Sequence, residues 1–226
     1  MDGILLFNKP ILWTSHDAVD FFRRRLGQKK VGHAGTLDPM ATGLLVMLLG
    51  AATKASSRLS GLDKDYAGTM TLGITTDTQD LEGKIIAVEE NYDAIGESRV
   101  REVFGLFHGL IRQVPPAYSS VKKNGKKLYE WARKGVACAP EARQVMIRRF
   151  DLDAYLPPEA HFTVSCSKGT YVRTLCDEAG KLLGCGAALS SLVRTRVGKF
   201  QLKDALTENQ VESFLNLDLE KRIVSE

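Results

Sequence analysis

Three features of this 226-residue sequence predict an α+β fold with a mixed, mainly antiparallel sheet flanked by helices. Residues 64–75 alternate cleanly, with Tyr66, Gly68, Met70, Leu72 and Ile74 on one side; this is the two-residue period of a strand. Two strand-like runs, 145–155 and 161–167, are joined only by a turn at Pro157-Pro158, the signature of an antiparallel pair. Helical spacings stand among such runs without the strict β-α-β alternation that a parallel sheet requires.

Along the chain, residues 3–8 read as a short buried strand. Thr14 and Asp17 stand at capping-box spacing, with Asp in place of the usual Glu, and Val19, Phe22 and Leu26 follow at helical intervals as far as Gly27. The arginines of that helix are expected to point outward. Residues 44–49 are a buried strand or the start of a helix, and 51–62 read as a helix with Lys54 and Arg58 on one face. A polar turn over 76–83 leads to a strand at 84–88. Val100, Phe104 and Phe107 mark a helix after Ser98. Residues 113–120 are extended and stiffened by Pro115-Pro116, and 128–134 are helical. Helices are expected at 170–183 and 187–192, a strand around 197–202, and a terminal helix from Thr207.

The composition, 44% hydrophobic, supports one large core or two modest ones. The longest apolar run, 44–52, is too short to cross a membrane, and Met1-Asp2-Gly3 lacks the basic head of a signal peptide. A cytoplasmic location without membrane contact is the expectation. Cys138, Cys166, Cys176 and Cys185 form no C-x-x-C pair and have no histidine at zinc spacing, so buried thiols are expected and no metal site. The net charge of +4 is unevenly spread, −3 from Lys203 onward and +7 before it. The excess lies in clusters: Arg23-Arg24-Arg25 with Lys29-Lys30, the lysines between 122 and 127, Arg148-Arg149, and Arg194, Arg196 and Lys199. Singly each reads as a solvated face; together they admit a polyanion partner.

The stretch 31–43, Val-Gly-His-Ala-Gly-Thr-Leu-Asp-Pro-Met-Ala-Thr-Gly, concentrates three glycines, a proline, one histidine and one carboxylate between apolar segments. Such a constrained loop can hold a side chain in a fixed pose, and Asp38 is the candidate. On composition alone an ordinary Asp-Pro turn is the better reading, because Asp-Pro marks turns routinely.

Five stretches together resemble the TruB type of tRNA pseudouridine synthase. These are Asn8-Lys9-Pro10 with Thr14-Ser15; the 31–43 stretch; Tyr66 with Leu72-Gly73 and Thr76-Asp77-Thr78; residues 114–122 with Gly125 and Tyr129-Glu130; and residues 166–173, followed by Gly186-Ala187 and Leu192 before Arg194. The resemblance covers roughly residues 3–200 in unbroken order. It implies the pseudouridine synthase fold with a central catalytic cleft, and conversion of a uridine in the T loop of tRNA (position 55) to pseudouridine without metal or cofactor. It implies a catalytic domain over 1–202 and a helical extension over 203–226, a short form lacking the C-terminal PUA domain of many relatives and gripping the acceptor-stem side less. A monomer is expected.

Carried over by position, Asp38 is the catalytic carboxylate. Arg173 stands where the family places a guanidinium beside it, which favours the charged carboxylate. Tyr66 stacks on the flipped uracil or moves the C5 proton. Tyr171 and Leu192 line the same pocket, His33 packs against T-loop bases, and Lys9 supports the pocket wall. The lysines of 122–127 and Arg23, Arg24 and Arg25 are the expected phosphate contacts in a recognition that reads RNA shape. One departure stands out: Ile11-Leu12-Trp13 occupies a turn where the family commonly has a glycine. A non-catalytic RNA-binding or tRNA-folding protein on the same scaffold is the alternative. A zinc deaminase is excluded by the absence of H-x-E and C-x-x-C.

Overall fold

The computed structural model describes every residue except 120, 124, 133–135, 137–139 and 225–226, and the side chains of Lys122, Lys123, Lys127, Tyr129 and Ala132 also lie outside the description. Expectations placed on Ser120, Lys134 and Cys138 therefore fall outside the described residues. The first half of the chain forms β1 (Gly3–Lys9), α1 (Ser15–Leu26), β2 (Val31–Ala34), β3 (Ala41–Leu49), α2 (Ser56–Ser60), β4 (Lys64–Leu72), β5 (Ile74–Thr76), β6 (Ile85–Val88), α3 (Glu97–Gly105) and β7 (Gly109–Gln113). The second half forms β8 (Lys122–Lys123), β9 (Lys126–Lys127), α4 (Leu128–Ala132), β10 (Arg143–Leu156), β11 (Glu159–Cys166), α5 (Val172–Leu183), β12 (Ala187–Val197), β13 (Phe200–Gln201), α6 (Glu208–Ser213) and α7 (Asn216–Glu220). The chain divides into two compact units, Met1–Ala67 with Leu192–Glu226, and Gly68–Ser191.

In the first unit the strand order is β1-β3-β12, with β2 on β3 and β13 on β12. Strand β1 runs antiparallel to β3 from Gly3↔Leu49 to Lys9↔Gly43. Both faces are covered. Ile4, Leu6, Leu44, Val46 and Leu48 join Leu59, Val197 and Phe200 in one core cluster, while Phe7 meets Phe21 and Phe22 of α1, with ring centroids 6.0 and 5.1 Å apart. Two-sided burial is why 44–49 lacks polar alternation, and it resolves the strand-or-helix ambiguity there in favour of strand. Helix α1 starts as its sequence dictates. The Thr14 hydroxyl accepts from the Asp17 N–H and the Asp17 carboxylate from the Thr14 N–H, a closed capping box, and Gly27 ends the helix at φ 59°. Its last arginine does not point outward. Arg25 donates to the Val211 and Phe214 carbonyls and to Asn216, tying down the segment that carries α6 and α7.

In the second unit the order is β12-β4-β11-β10-β7, with β10 antiparallel to both β11 and β7. Phe104 of α3 stacks on Phe150 of β10 at 3.9 Å, and Phe162 of β11 meets Phe150 edge-on. The amphipathic helix α5 buries Leu175, Cys176 and Ala179 and ends at Gly184, φ 84°. Burial pushes the Cys176 thiol far above the usual range; Cys166 and Cys185 are buried as well, as thiols in a core would be.

Several local expectations give way. Residues 187–192, helical by composition, lie inside β12, because a position within a sheet buried around Ala187, Ala188 and Leu189 outweighs weak helix propensity. Residues 51–62 split into a 3-10 segment, Gly50–Ala55, and the short α2. Strand 64–75 breaks at Gly73, whose φ is 81°. Residues 31–34 are a strand rather than loop, and β7 had no counterpart in the sequence reading. The mixed sheet is otherwise largely antiparallel, as the element order implies.

Gly180, in the middle of α5, has a steric reason. A Cβ there would sit 2.1 Å from the Ala187 backbone nitrogen and 2.4 Å from the Gly186 carbonyl carbon. Gly180→Ala should therefore destabilise by about 1–3 kcal/mol, overpacking outweighing the roughly 1 kcal/mol of helix propensity it gains. A raised urea midpoint would contradict this.

Candidate active site

The six-residue segment 35–40, carrying Asp38, leaves β2 and enters β3 where β3 exchanges one neighbour for another. Over Val46–Leu49 the side of β3 away from β1 is paired with β2; over Ala41–Gly43 it is paired with β12, in parallel. The loop occupies that change of partner. Gly43 makes it possible: its φ is 97°, and a Cβ would lie 2.4 Å from the Arg194 carbonyl oxygen across the pair.

No carbonyl of the loop from 35 through 39 is left unbonded. Arg194, fully buried, donates to the carbonyls of Gly35 (3.1 Å) and Thr36 (3.2 Å), and its Nε to Leu44 (2.7 Å). The buried Ser15 hydroxyl pairs with both backbone groups of Leu37, accepting from the N–H at 2.8 Å and meeting the carbonyl at 3.3 Å. The Asp38 carbonyl accepts from the Ala41 N–H. The Pro39 carbonyl accepts from the Leu12 N–H at 3.0 Å and from the Lys9 ammonium at 3.4 Å. Asp38 itself is half-buried on this fixed backbone.

The other sequence-predicted residues of the first unit surround the same loop through these anchors. Lys9, at the end of β1, is fully buried and its ammonium also donates to the Pro10 and Trp13 carbonyls, at 2.9 and 2.5 Å. Tyr66 is buried on β4; burial pulls the pKa of Arg194 down and Tyr66 pushes it back up. Leu192 pairs with Ala41 in β12. His33, on β2, has its Nδ1 buried without a partner among the described residues. Burial, and then the charge of Arg194, hold its pKa below the ordinary 6.5. A cavity of about 730 Å³ opens beside it, lined by His16, Arg23, Lys29, Lys30, His33 and Thr36 among others and by no carboxylate.

Tyr171 and Arg173 belong to the second unit. Arg173 is buried on the first turn of α5 and donates to the Asp80 carboxylate (3.3 Å) and to the carbonyls of Thr78 (3.4 Å) and Tyr118 (2.6 Å). Asp80, also buried, accepts in addition from the Thr78 hydroxyl and the Glu82 N–H. Tyr171 is the N-cap residue of α5.

Three residues here escaped the sequence reading. Arg194 was grouped with Arg196 and Lys199 as a basic cluster, yet it is a buried anchor of the loop, and Arg196 forms a forked ion pair with Asp65 at 2.5 and 2.8 Å. Asp80 lay in a turn read only as polar. Gln113 was read as the start of an extended segment, yet it is fully buried. The short motif before Arg194 marked its position but not its burial, and nothing local to Asp80 announces Arg173. Among the described residues no cluster of His, Cys, Asp and Glu could hold a metal ion, and no helix is long and apolar enough to cross a membrane.

Two outcomes follow from this geometry. Leu12 adopts φ 69° with its side chain 73% exposed, so the turn keeps the left-handed residue that a glycine would supply. Leu12→Gly should stabilise by up to about 1 kcal/mol, relief of left-handed strain exceeding the added freedom of the unfolded chain; a lower melting temperature would refute it. His33 resists protonation when folded, so as pH falls below 6.5 the unfolded chain takes up a proton that the native state refuses, and stability declines. The urea midpoint should fall between pH 7.5 and pH 5.5 by more in the wild type than in His33→Asn.

The comparisons with known proteins agree along the whole chain. Residues 23–172 match the family described as "TruB family pseudouridylate synthase (N terminal domain)", and residues 173–222 match "tRNA pseudouridylate synthase B C-terminal domain". The chain is 44% identical over 224 residues to tRNA pseudouridine synthase B of Opitutus terrae, covering 99% of this chain and 92% of that protein. It is 47% identical to the protein of the same name from Geobacillus thermodenitrificans, covering 94% and 72%. Among solved structures it resembles a Cbf5-Nop10-Gar1 complex (TM-score 0.77, 27% identity) over 99% of this chain and 60% of that one. It also resembles an H/ACA RNP bound to a substrate RNA containing 2'-deoxyuridine (TM-score 0.71, 25% identity), over 98% of this chain and 56% of that one. The five motifs, the fold and these likenesses lead to one conclusion: the chain belongs to the TruB family of pseudouridylate synthases.

Proposed function

We propose that the chain converts a uridine in the T loop of tRNA, at position 55, to pseudouridine, with Asp38 as the catalytic carboxylate. The observation that carries this reading is the fixed loop: a half-buried carboxylate on a backbone whose carbonyls are bonded from 35 through 39. Isomerisation breaks the bond from N1 to C1′ and makes one from C5 to C1′; the C5 proton leaves to water and N1 takes a proton up. A carboxylate held at the sugar can act on C1′ or take the 2′-hydrogen; either use demands an oxygen whose position does not drift. The name shared by the curated relatives supports tRNA as the substrate.

The supporting roles follow by position in the family motifs. Tyr66 offers its ring to the extruded uracil, recovering part of the stacking energy lost on flipping, and Leu192 adds an apolar surface. Lys9 acts on the loop that carries Asp38, through the Pro39 carbonyl. Arg173 and Tyr171 carry the remaining uridine-site positions. His33, with an unpartnered ring nitrogen beside a basic cavity, suits contact with T-loop bases, while Lys29 and Lys30 suit the neighbouring phosphates. Arg25, committed to the C-terminal segment, is set aside as a phosphate contact.

The test uses a T-stem-loop RNA tritiated at C5 of its uridines. Wild type should release tritium to water, and Asp38→Asn should reduce the rate by at least about 10³-fold with RNA affinity retained. Binding of the RNA by wild type without release would instead favour a binding protein on this scaffold.

A further inference from the structure

We infer that Gln113 is a positioning residue for the uridine site, one that fixes Tyr171 and, through the first turn of α5, Arg173; the inference rests on the assignment of those two residues made above. Gln113 is the last residue of β7, is fully buried, and points at the start of α5 rather than at a neighbouring strand. Its carboxamide oxygen accepts from the Tyr171 N–H at 2.8 Å, and its amide nitrogen donates to the Tyr171 carbonyl at 3.0 Å. One side chain thus satisfies both backbone groups of the residue at the N-cap of α5, where no side chain of the helix's own segment supplies a cap.

The residue opposite Gln113 in the sheet completes the device. Arg143, its partner in the β7–β10 ladder, donates to the Gly169 carbonyl and lays its guanidinium over the Tyr171 ring, 4.7 Å from the centroid. Gly169 has φ 81°, and a Cβ there would lie 3.4 Å from that guanidinium. Arg173 lies over the same ring as well, 5.7 Å from its centroid. The end of one ladder therefore grips Tyr171 by its backbone and by its ring. A carboxamide carries a donor and an acceptor on separate atoms, spaced to pair with both sides of one residue's peptide backbone. Val114-Pro115-Pro116 immediately follows Gln113 and stiffens the chain beyond it. Loss of the clamp would let Tyr171 and the first turn of α5 drift, and a displacement of about 1 Å in a positioning element can cost on the order of 10²-fold in rate.

The experiment measures single-turnover tritium release from the same T-stem-loop RNA at saturating enzyme, together with RNA affinity and thermal melting. It compares wild type, Tyr171→Ala and Gln113→Met, which keeps the volume of Gln113 and removes both bonds. Gln113→Met is expected to lower the rate about 10²-fold while RNA affinity stays within about threefold. Should Gln113→Met fail to fold, Gln113→Asn, one methylene too short to reach Tyr171, takes its place with the same expectation. A folded variant turning over at the wild-type rate overturns the inference. So does a loss of rate matched by an equal loss of affinity, the mark of a smaller folded fraction. If Tyr171→Ala retains the wild-type rate, the assignment beneath the inference falls; if Tyr171→Ala is impaired and Gln113→Met is not, only the role of Gln113 falls.

Discussion

Arg194 is the interaction on which the first unit turns. A guanidinium without water would be costly in a protein interior, and here its compensation comes from the carbonyls of Gly35, Thr36 and Leu44. The Gly35 and Thr36 carbonyls belong to an irregular segment with no strand to bond them, and each would cost about 1–3 kcal/mol if buried alone. Cation and loop therefore satisfy one another. Lys9 repeats the arrangement on the far side of Asp38, its ammonium shared among the carbonyls of Pro10, Trp13 and Pro39. With a buried cation at each end and Ser15 in the middle, the loop is as constrained as a strand without being one.

This constraint explains why the sheet is built as it is. Strand β3 begins beside β12 and ends beside β2, and the loop emerges in the gap between those two neighbours. Gly43 brings the β12 backbone close enough for Arg194 to reach back across the gap. The second unit follows the same economy at Tyr171, where a ladder end presents one carboxamide and one guanidinium to a helix start. In both units irregular backbone is bonded by side chains from regular elements.

Much of this was legible in the residues themselves. The capping box at Thr14 and the hairpin at Pro157-Pro158 are local features, and local features report local structure. The long motif around Asp38 spans the irregular segment 35–40 together with the strand ends that flank it. What could not be read were pairings made at a distance. Arg194 and Arg196 are two residues apart and look alike in sequence, yet one is buried among carbonyls and the other forks onto Asp65. Asp80 and Arg173 meet across 93 positions. Residues 187–192 failed for a related reason: alanine, leucine and serine describe a helix until a sheet closes around them.

The anchors of the Asp38 loop are also far apart in time. Lys9 and Ser15 leave the ribosome before the loop does, but Arg194 lies 158 and 159 residues beyond the carbonyls it binds. During synthesis the loop thus exists for most of the chain's length without the cation that shapes it. At about 5–20 residues per second, that interval is on the order of ten to thirty seconds. A nascent chain bearing every residue of the loop but not β12 has its carboxylate and lacks one of the two cations that anchor it. The geometry of the Asp38 loop is in this sense a late product of translation, completed only when the final strands of the first unit arrive.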